Sequence, residues 1–239
     1  MVATIDLTSA SSNMKAYLAS WENGFTSNYG AFWNATDGIV TAPASTDTFD
    51  QWGAGSTGGN GIVLDGDDLQ YSQGNLTGEV DTITLGNSYS QSASGISVSS
   101  ELTITNDPLF DTSGAGDALD FAIYGLSVQG TTSYLYDYLA DVGTVINDTS
   151  GSDVLIGFGG EDTFVFSGGN DTVTSDGTGT YGYQDGTDTL DVSAWGATQL
   201  SDLSLYQDGS DAYIYMGSNS VTLEGANTSD LDASDFLFA

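Results

Sequence analysis

The chain lacks cysteine and histidine altogether, has two prolines, and carries one basic residue, Lys15, against 33 acids. Without cysteine there is no disulfide framework, zinc-thiolate site or thiol nucleophile; without histidine there is no His-based triad and no HExxH zinc site. One cation cannot build the basic surface that nucleic acid or an anionic membrane requires, so neither is an expected partner. No run of about 18 apolar residues occurs, so no helical membrane insertion is expected. The opening MVATIDLTSASS has neither a basic n-region nor an apolar core of about 7–15 residues and does not read as a secretory leader.

What is present is apolar and acidic. Hydrophobic residues make up 39% of the chain, with 10 Phe, 4 Trp and 13 Tyr, enough for a packed core despite a net charge of -32. Glycine is plentiful at 32 and Ser and Thr are abundant, which favours strands and turns. The acids are Asp except for Glu22, Glu79, Glu101, Glu161 and Glu224. Aspartate suits turns and oxygen-ligand metal loops. Self-repulsion at this charge is relieved by bound divalent cations or tolerated by a salt-adapted surface.

Residues 1–145 read as α+β. Met14, Tyr17, Leu18, Trp21 and Phe25 form one stripe of an amphipathic helix with Ser12 or Asn13 as N-cap and Gly24 near its end. Thr26–Gly61 reads as an aromatic-rich loop. Strands are expected at Ile62–Leu64, Asp68–Ser72, Leu76–Leu85 (with a bulge near Gly78) and Ile96–Thr105, and helices near Asp117–Leu126 and Thr132–Val142.

Residues 146–239 change character. Gly recurs at 151, 160 and 169, Asp at 153, 162 and 171, and a large apolar residue at 155, 164 and 173. This is the G-x-D-x-U core of a nonapeptide β-roll repeat. A Gly-rich turn of six residues needs positive φ, and the three that follow make a short strand. Two units make one coil, so equivalent turns lie 18 residues apart. Asp153 and Asp171 are expected to share a calcium with turn carbonyls. Asp162 faces the other side, where position 180 is Thr; Asp176, Asp185 or Asp188 is its expected partner. Antiparallel hairpins follow at Leu203–Tyr206, Ala212–Met216 and Val221–Leu223.

The repeats, the Asp188–Ser193 segment and the ending Asp235-Phe236-Leu237-Phe238 resemble the carboxy-terminal module of RTX proteins exported by type I secretion. The resemblance implies an extracellular protein of a Gram-negative bacterium, a type I exporter as partner during export, calcium-driven folding, and an export signal at residues 235–238. Residues 1–145 resemble the haem acquisition protein A family of haemophores through Tyr17-Leu18-x-x-Trp21-x-x-x-Phe25, Leu69-Gln70-Tyr71-Ser72, Gly78-x-x-Asp81 and Tyr124-Gly125-Leu126. That resemblance implies a curved antiparallel sheet with helices on one face, and haem held through Tyr71. The family's histidines have no counterpart here. Tyr29, Trp33 and Trp52 are aromatics against which haem could stack.

The functional expectation is a non-enzymatic, calcium-binding structural protein that self-associates into a homo-oligomer, matrix, surface layer or filament. Val2–Leu7 and 203–223 are its expected pairing edges, and Trp33, Phe49 and Trp52 its expected contact aromatics. The alternative is a haemophore-like binder of haem or another flat ligand. A glycosidase-like acid pair has no specific support, since 33 acids make some close pair inevitable.

Overall fold

A computed structural model describes residues 2–111, 118–175 and 181–239, which divide into two compact units. Val2–Tyr17 and Leu139–Ala239 make one; Leu18–Tyr138 make the other. The boundary read at 145/146 therefore shifts to Leu139, and the amino-terminal segment groups with the carboxy-terminal one. Its strand β1 (Ala3–Leu7) pairs in parallel with β8 (Thr144–Asn147), a partnership across 141 positions. Helix α1 (Met14–Gly24) forms as its pattern predicts. Met14, Leu18 and Trp21 are buried, and Asn13 is the N-cap, its side-chain oxygen accepting from the Ala16 N–H at 2.9 Å.

The middle unit is an antiparallel sheet with helices. Its strands are β2 (Ala31–Asn34), β3 (Gly38–Val40), β4 (Phe49–Gly55), β5 (Gly61–Ser72), β6 (Asn75–Ser92) and β7 (Gly95–Asp111), ordered β7-β6-β5-β4-β2-β3. The stretch 26–61 read as a loop thus holds three strands. Phe49 and Trp52, expected at a subunit contact, are core residues at 1% and 5% exposure. Both lie on β4, which is short, contains Gly53 and Gly55, and is stabilised by pairing with β5, a contact that local pattern does not reveal. The expected bulge is present, but its extra residue sits on β5: Asp68 and Leu69 together face Gly78. Asp68 takes φ 53°, and a Cβ on Gly78 would lie 2.5 Å from the Asp68 carbonyl. Helices α2 (Ala118–Tyr124) and α3 (Ser133–Val142) fall where expected; the predicted start at Asp117 lies outside the described residues. A π-helical turn, Gly125–Gln129, follows α2.

In the other unit, β8, β9 (Val154–Ile156), β10 (Asp162–Val165) and β11 (Asn170–Thr174) alternate between two sheets. Asp162 pairs with Thr144 and Thr172 with Val154, both in parallel, so equivalent strands are 18 residues apart. Leu155, Phe164 and Val173, the apolar residues of the repeats, are fully buried. Each contributes about 1.5–3 kcal/mol by leaving water. β12 (Thr189–Asp191) continues the first sheet. β13 (Ser204–Asp208), β14 (Asp211–Met216) and β15 (Asn219–Leu223) form the expected antiparallel meander, and β15 pairs in parallel with β11. β16 (Phe236–Leu237) closes the first sheet beside β12. The fold class is α+β, dominated by strand.

Candidate functional site

One backbone rule organises the turns between the parallel strands. An Asp at the end of the turn accepts a hydrogen bond from the N–H four residues earlier. Asp153 accepts from Thr149, Asp162 from Phe158 and Asp188 from Gln184. The ladder also runs between coils: the Asp153 N–H donates to Asp171 Oδ1 at 2.9 Å, and the Asp162 N–H to Asp188 Oδ1 at 3.0 Å. Asp188 is therefore the partner of Asp162, at 26 residues rather than 18. Asp185 is exposed on the same turn, and Asp176 and Thr180 lie outside the described residues.

Asp171 breaks the rule. The N–H four residues before it, that of Ser167, donates instead to Asp148 Oδ1 at 2.9 Å. Asp171 is 2% exposed, and its Oδ2 is buried without a hydrogen-bond partner, as is Oδ2 of Asp148. Carboxylate oxygens of Asp148, Asp153 and Asp171 lie within 4.8 Å of one another. Burial, then the charges of Asp148 and Asp153, push the Asp171 carboxyl up to about 7. Burial likewise lifts Asp148 to about 6. The chain's one cation, Lys15, is exposed. Three carboxylates with two unsatisfied inward oxygens fit a hard, oxygen-seeking cation such as calcium. On the opposite turns, buried Asp162 and Asp188 accept from N–H and hydroxyl donors, including Thr144 Oγ1 to Asp162 at 2.5 Å, and burial, with the charge of Asp162, pushes Asp188 up to about 7.

Asp148 precedes the first repeat and carries no signal of its own in the nonapeptide pattern. The nine-residue period does reach back: Thr144 stands nine positions before Asp153 and Ile146 nine before Leu155. Of the three repeat glycines, Gly169 takes positive φ (111°), and a Cβ there would lie 1.7 Å from the Gly151 carbonyl. Gly151 and Gly160 do not take positive φ; Gly159 and Gly168 do. Gly160 is required instead by close approach, a Cβ falling 2.3 Å from the Ala140 carbonyl.

The carboxy-terminal segment is docked. Asp235 is buried and completes a capping box with Asp232 on the turn Ala233–Asp235. Phe236 and Phe238 stack at 5.7 Å, with Leu237 exposed between them.

The middle unit contains a cavity of 690 Å³, within the range of small-molecule sites. Tyr71, at the end of β5, lines it with Tyr29, Phe32, Trp52, Phe121 and Tyr124. The Tyr71 ring lies 6.0 Å from that of Phe32, and its hydroxyl accepts from the Gly74 N–H at 3.3 Å. Tyr29 and Trp52 thus line the same cavity as Tyr71, whereas Trp33 does not and donates its indole N–H to the Ala93 carbonyl. Asp120 is the one ionisable acid on the wall and accepts from the Leu76 N–H at 2.9 Å.

No family model matches this chain, and no curated protein does. Solved structures do. Holo and apo forms of the hemophore HasA from Yersinia pestis align at 19% and 22% identity. Each covers 57% of this chain and 87% of its own, with a TM-score of 0.43. A HasA mutant from Yersinia pseudotuberculosis aligns at 18% identity with the same coverage and TM-score. Those from Yersinia pestis are hemophores.

Proposed function

We propose that this chain is an extracellular binding protein. A calcium-loaded RTX β-roll stabilises it, and the cavity beside Tyr71 takes a flat, largely apolar small molecule. The cavity carries the reading: 690 Å³ walled by six aromatic side chains, four of them substantially exposed although large and apolar. Such a surface gains when a flat ligand covers it. Haem is one such ligand, with Tyr71 as its iron ligand. The protein acts by binding rather than catalysis. Export uses the type I route, with Asp235, Phe236, Leu237 and Phe238 read by the exporter before folding docks them. Calcium then fills the site of Asp148, Asp153 and Asp171.

Titration of the calcium-loaded protein with hemin tests this. Saturable binding weakened by a plug at the exposed rim, Thr41→Trp, and a Soret band altered by Tyr71→Phe are the expected results. No saturable uptake of hemin or of any smaller flat ring would refute the cavity reading.

A second reading, calcium-promoted self-association, is supported by β13. It stands at the end of its sheet with Tyr206 60% exposed, and Tyr213 and Tyr215 stack on the neighbouring strand. The amino-terminal segment is less suited, since β1 is already paired with β8. Light scattering across a calcium titration separates the readings: growth in size that Tyr206→Lys abolishes supports assembly, and a monomer throughout excludes it.

A further inference from the structure

We infer that the cavity of the middle unit is shaped by charge for a flat aromatic cation, seated among Tyr29, Trp52, Tyr71 and Tyr124 and paired with Asp120. The inference rests on the cavity reading above and names the ligand class. Three observations carry it. First, the wall pairs aromatic faces with one carboxylate, the combination that stabilises an organic cation: ring quadrupoles attract positive charge, and Asp120 neutralises it. Second, Asn75 Oδ1, also on the wall, is a buried acceptor without a donor, so it favours a ligand that brings a donor or a positive charge over one that brings another acceptor. Third, no basic residue on this unit offers an anion a counter-charge. The chain's single basic residue, Lys15, belongs to the other unit, and the whole molecule stands at -32. An anionic group buried in this cavity leaves its charge unpaired in a negative field, so the propionates of hemin would have to stay in solvent at the exposed rim.

Three rings of one shape test the charge: N-methylacridinium, neutral acridine and acridine-9-carboxylate. Each is titrated into the calcium-loaded full chain by fluorescence anisotropy at physiological salt, beside hemin. The cation should bind at least about tenfold more tightly than the carboxylate, as expected for one close carboxylate in a screened site. Asp120→Asn keeps an acceptor for the Leu76 N–H and should bring the cation down to the affinity of the neutral ring. Thr41→Trp, an exposed substitution checked for an unchanged melting temperature, should remove the tight phase for every ring. Equal or tighter binding of the carboxylate overturns the charge preference while leaving the cavity reading intact. A cation preference that survives Asp120→Asn or Thr41→Trp belongs to the acidic surface and also overturns it. Failure of all three rings and hemin to bind the parent protein removes the cavity reading itself.

Discussion

Replacing Asp171 by Asn should make the calcium-free protein more stable and the calcium-loaded protein less so. Asp171 is 2% exposed, and burial with the charges of Asp148 and Asp153 raises its carboxyl from 3.8 to about 7. Between those values the folded chain holds a proton that the unfolded chain releases, so calcium-free stability falls as pH rises across that window. Once pH exceeds the folded value, the loss reaches about 4 kcal/mol in order of magnitude. Asn keeps the Oδ1 acceptor for the Asp153 N–H and puts an uncharged N–H₂ where the unpartnered oxygen stood. Relief of even half that loss raises the melting temperature by roughly 4–8 °C in a chelator at about pH 8. At about pH 3.5, below the ordinary value of 3.8, Asp171 is protonated in folded and unfolded chains alike, and the variant and parent should converge. In millimolar calcium the order reverses, because the variant has lost one anionic ligand. Differential scanning calorimetry in all three conditions is the assay. An Asn variant that melts lower than the parent in chelator at alkaline pH, or one that gains as much from calcium as the parent, would refute the reasoning.

Gly169→Ala should cost at least about 3 kcal/mol, since φ is 111° and the new Cβ meets the Gly151 carbonyl; urea unfolding measures it. Gly151→Ala, whose Cβ meets Thr149 Oγ1 at 3.3 Å, should cost far less, and equal costs would contradict the assignment of strain. Asp162→Ala should destabilise by about 1–3 kcal/mol by removing the carboxylate that accepts from the Phe158 N–H and the Thr144 hydroxyl, yet leave calcium binding at the Asp148, Asp153 and Asp171 cluster unchanged in a calorimetric titration. Deleting residues 235–239 should retain the chain inside a host that carries the matching type I exporter; normal secretion of the truncated chain would show that the segment serves the fold alone.

Much of the repeat region was legible because its pattern is local and periodic. Gly151, Asp153 and Leu155 recur at a fixed step, and the step sets both the 18-residue pairing and the buried face. The stripe from Met14 to Trp21 gave α1 for the same reason. Partnerships between distant segments were not legible. β1 joins β8 through backbone hydrogen bonds that no side-chain pattern announces, and this moved the unit boundary. Trp52 and Phe49 read as loop aromatics because β4 is short and punctuated by Gly53 and Gly55, which make room for the Tyr89 ring and its hydrogen bond to the Gly53 carbonyl. At the acid site, Asp153 and Asp171 followed from spacing. Asp148 did not, because its role comes from taking the Ser167 N–H away from Asp171. The cavity acid Asp120 carried no sequence signal among 33 acids; only α2 places it beside Leu76 and the aromatic wall.

The claim that one chain joins a calcium roll to a ligand cavity is tested most directly by native mass spectrometry of the 239-residue chain equilibrated with calcium and N-methylacridinium. The account predicts a monomer mass carrying a calcium that Asp171→Asn loses and one aromatic cation that Thr41→Trp loses, each independently of the other. A spectrum without bound calcium, or a cation retained equally by the plugged variant, would contradict it.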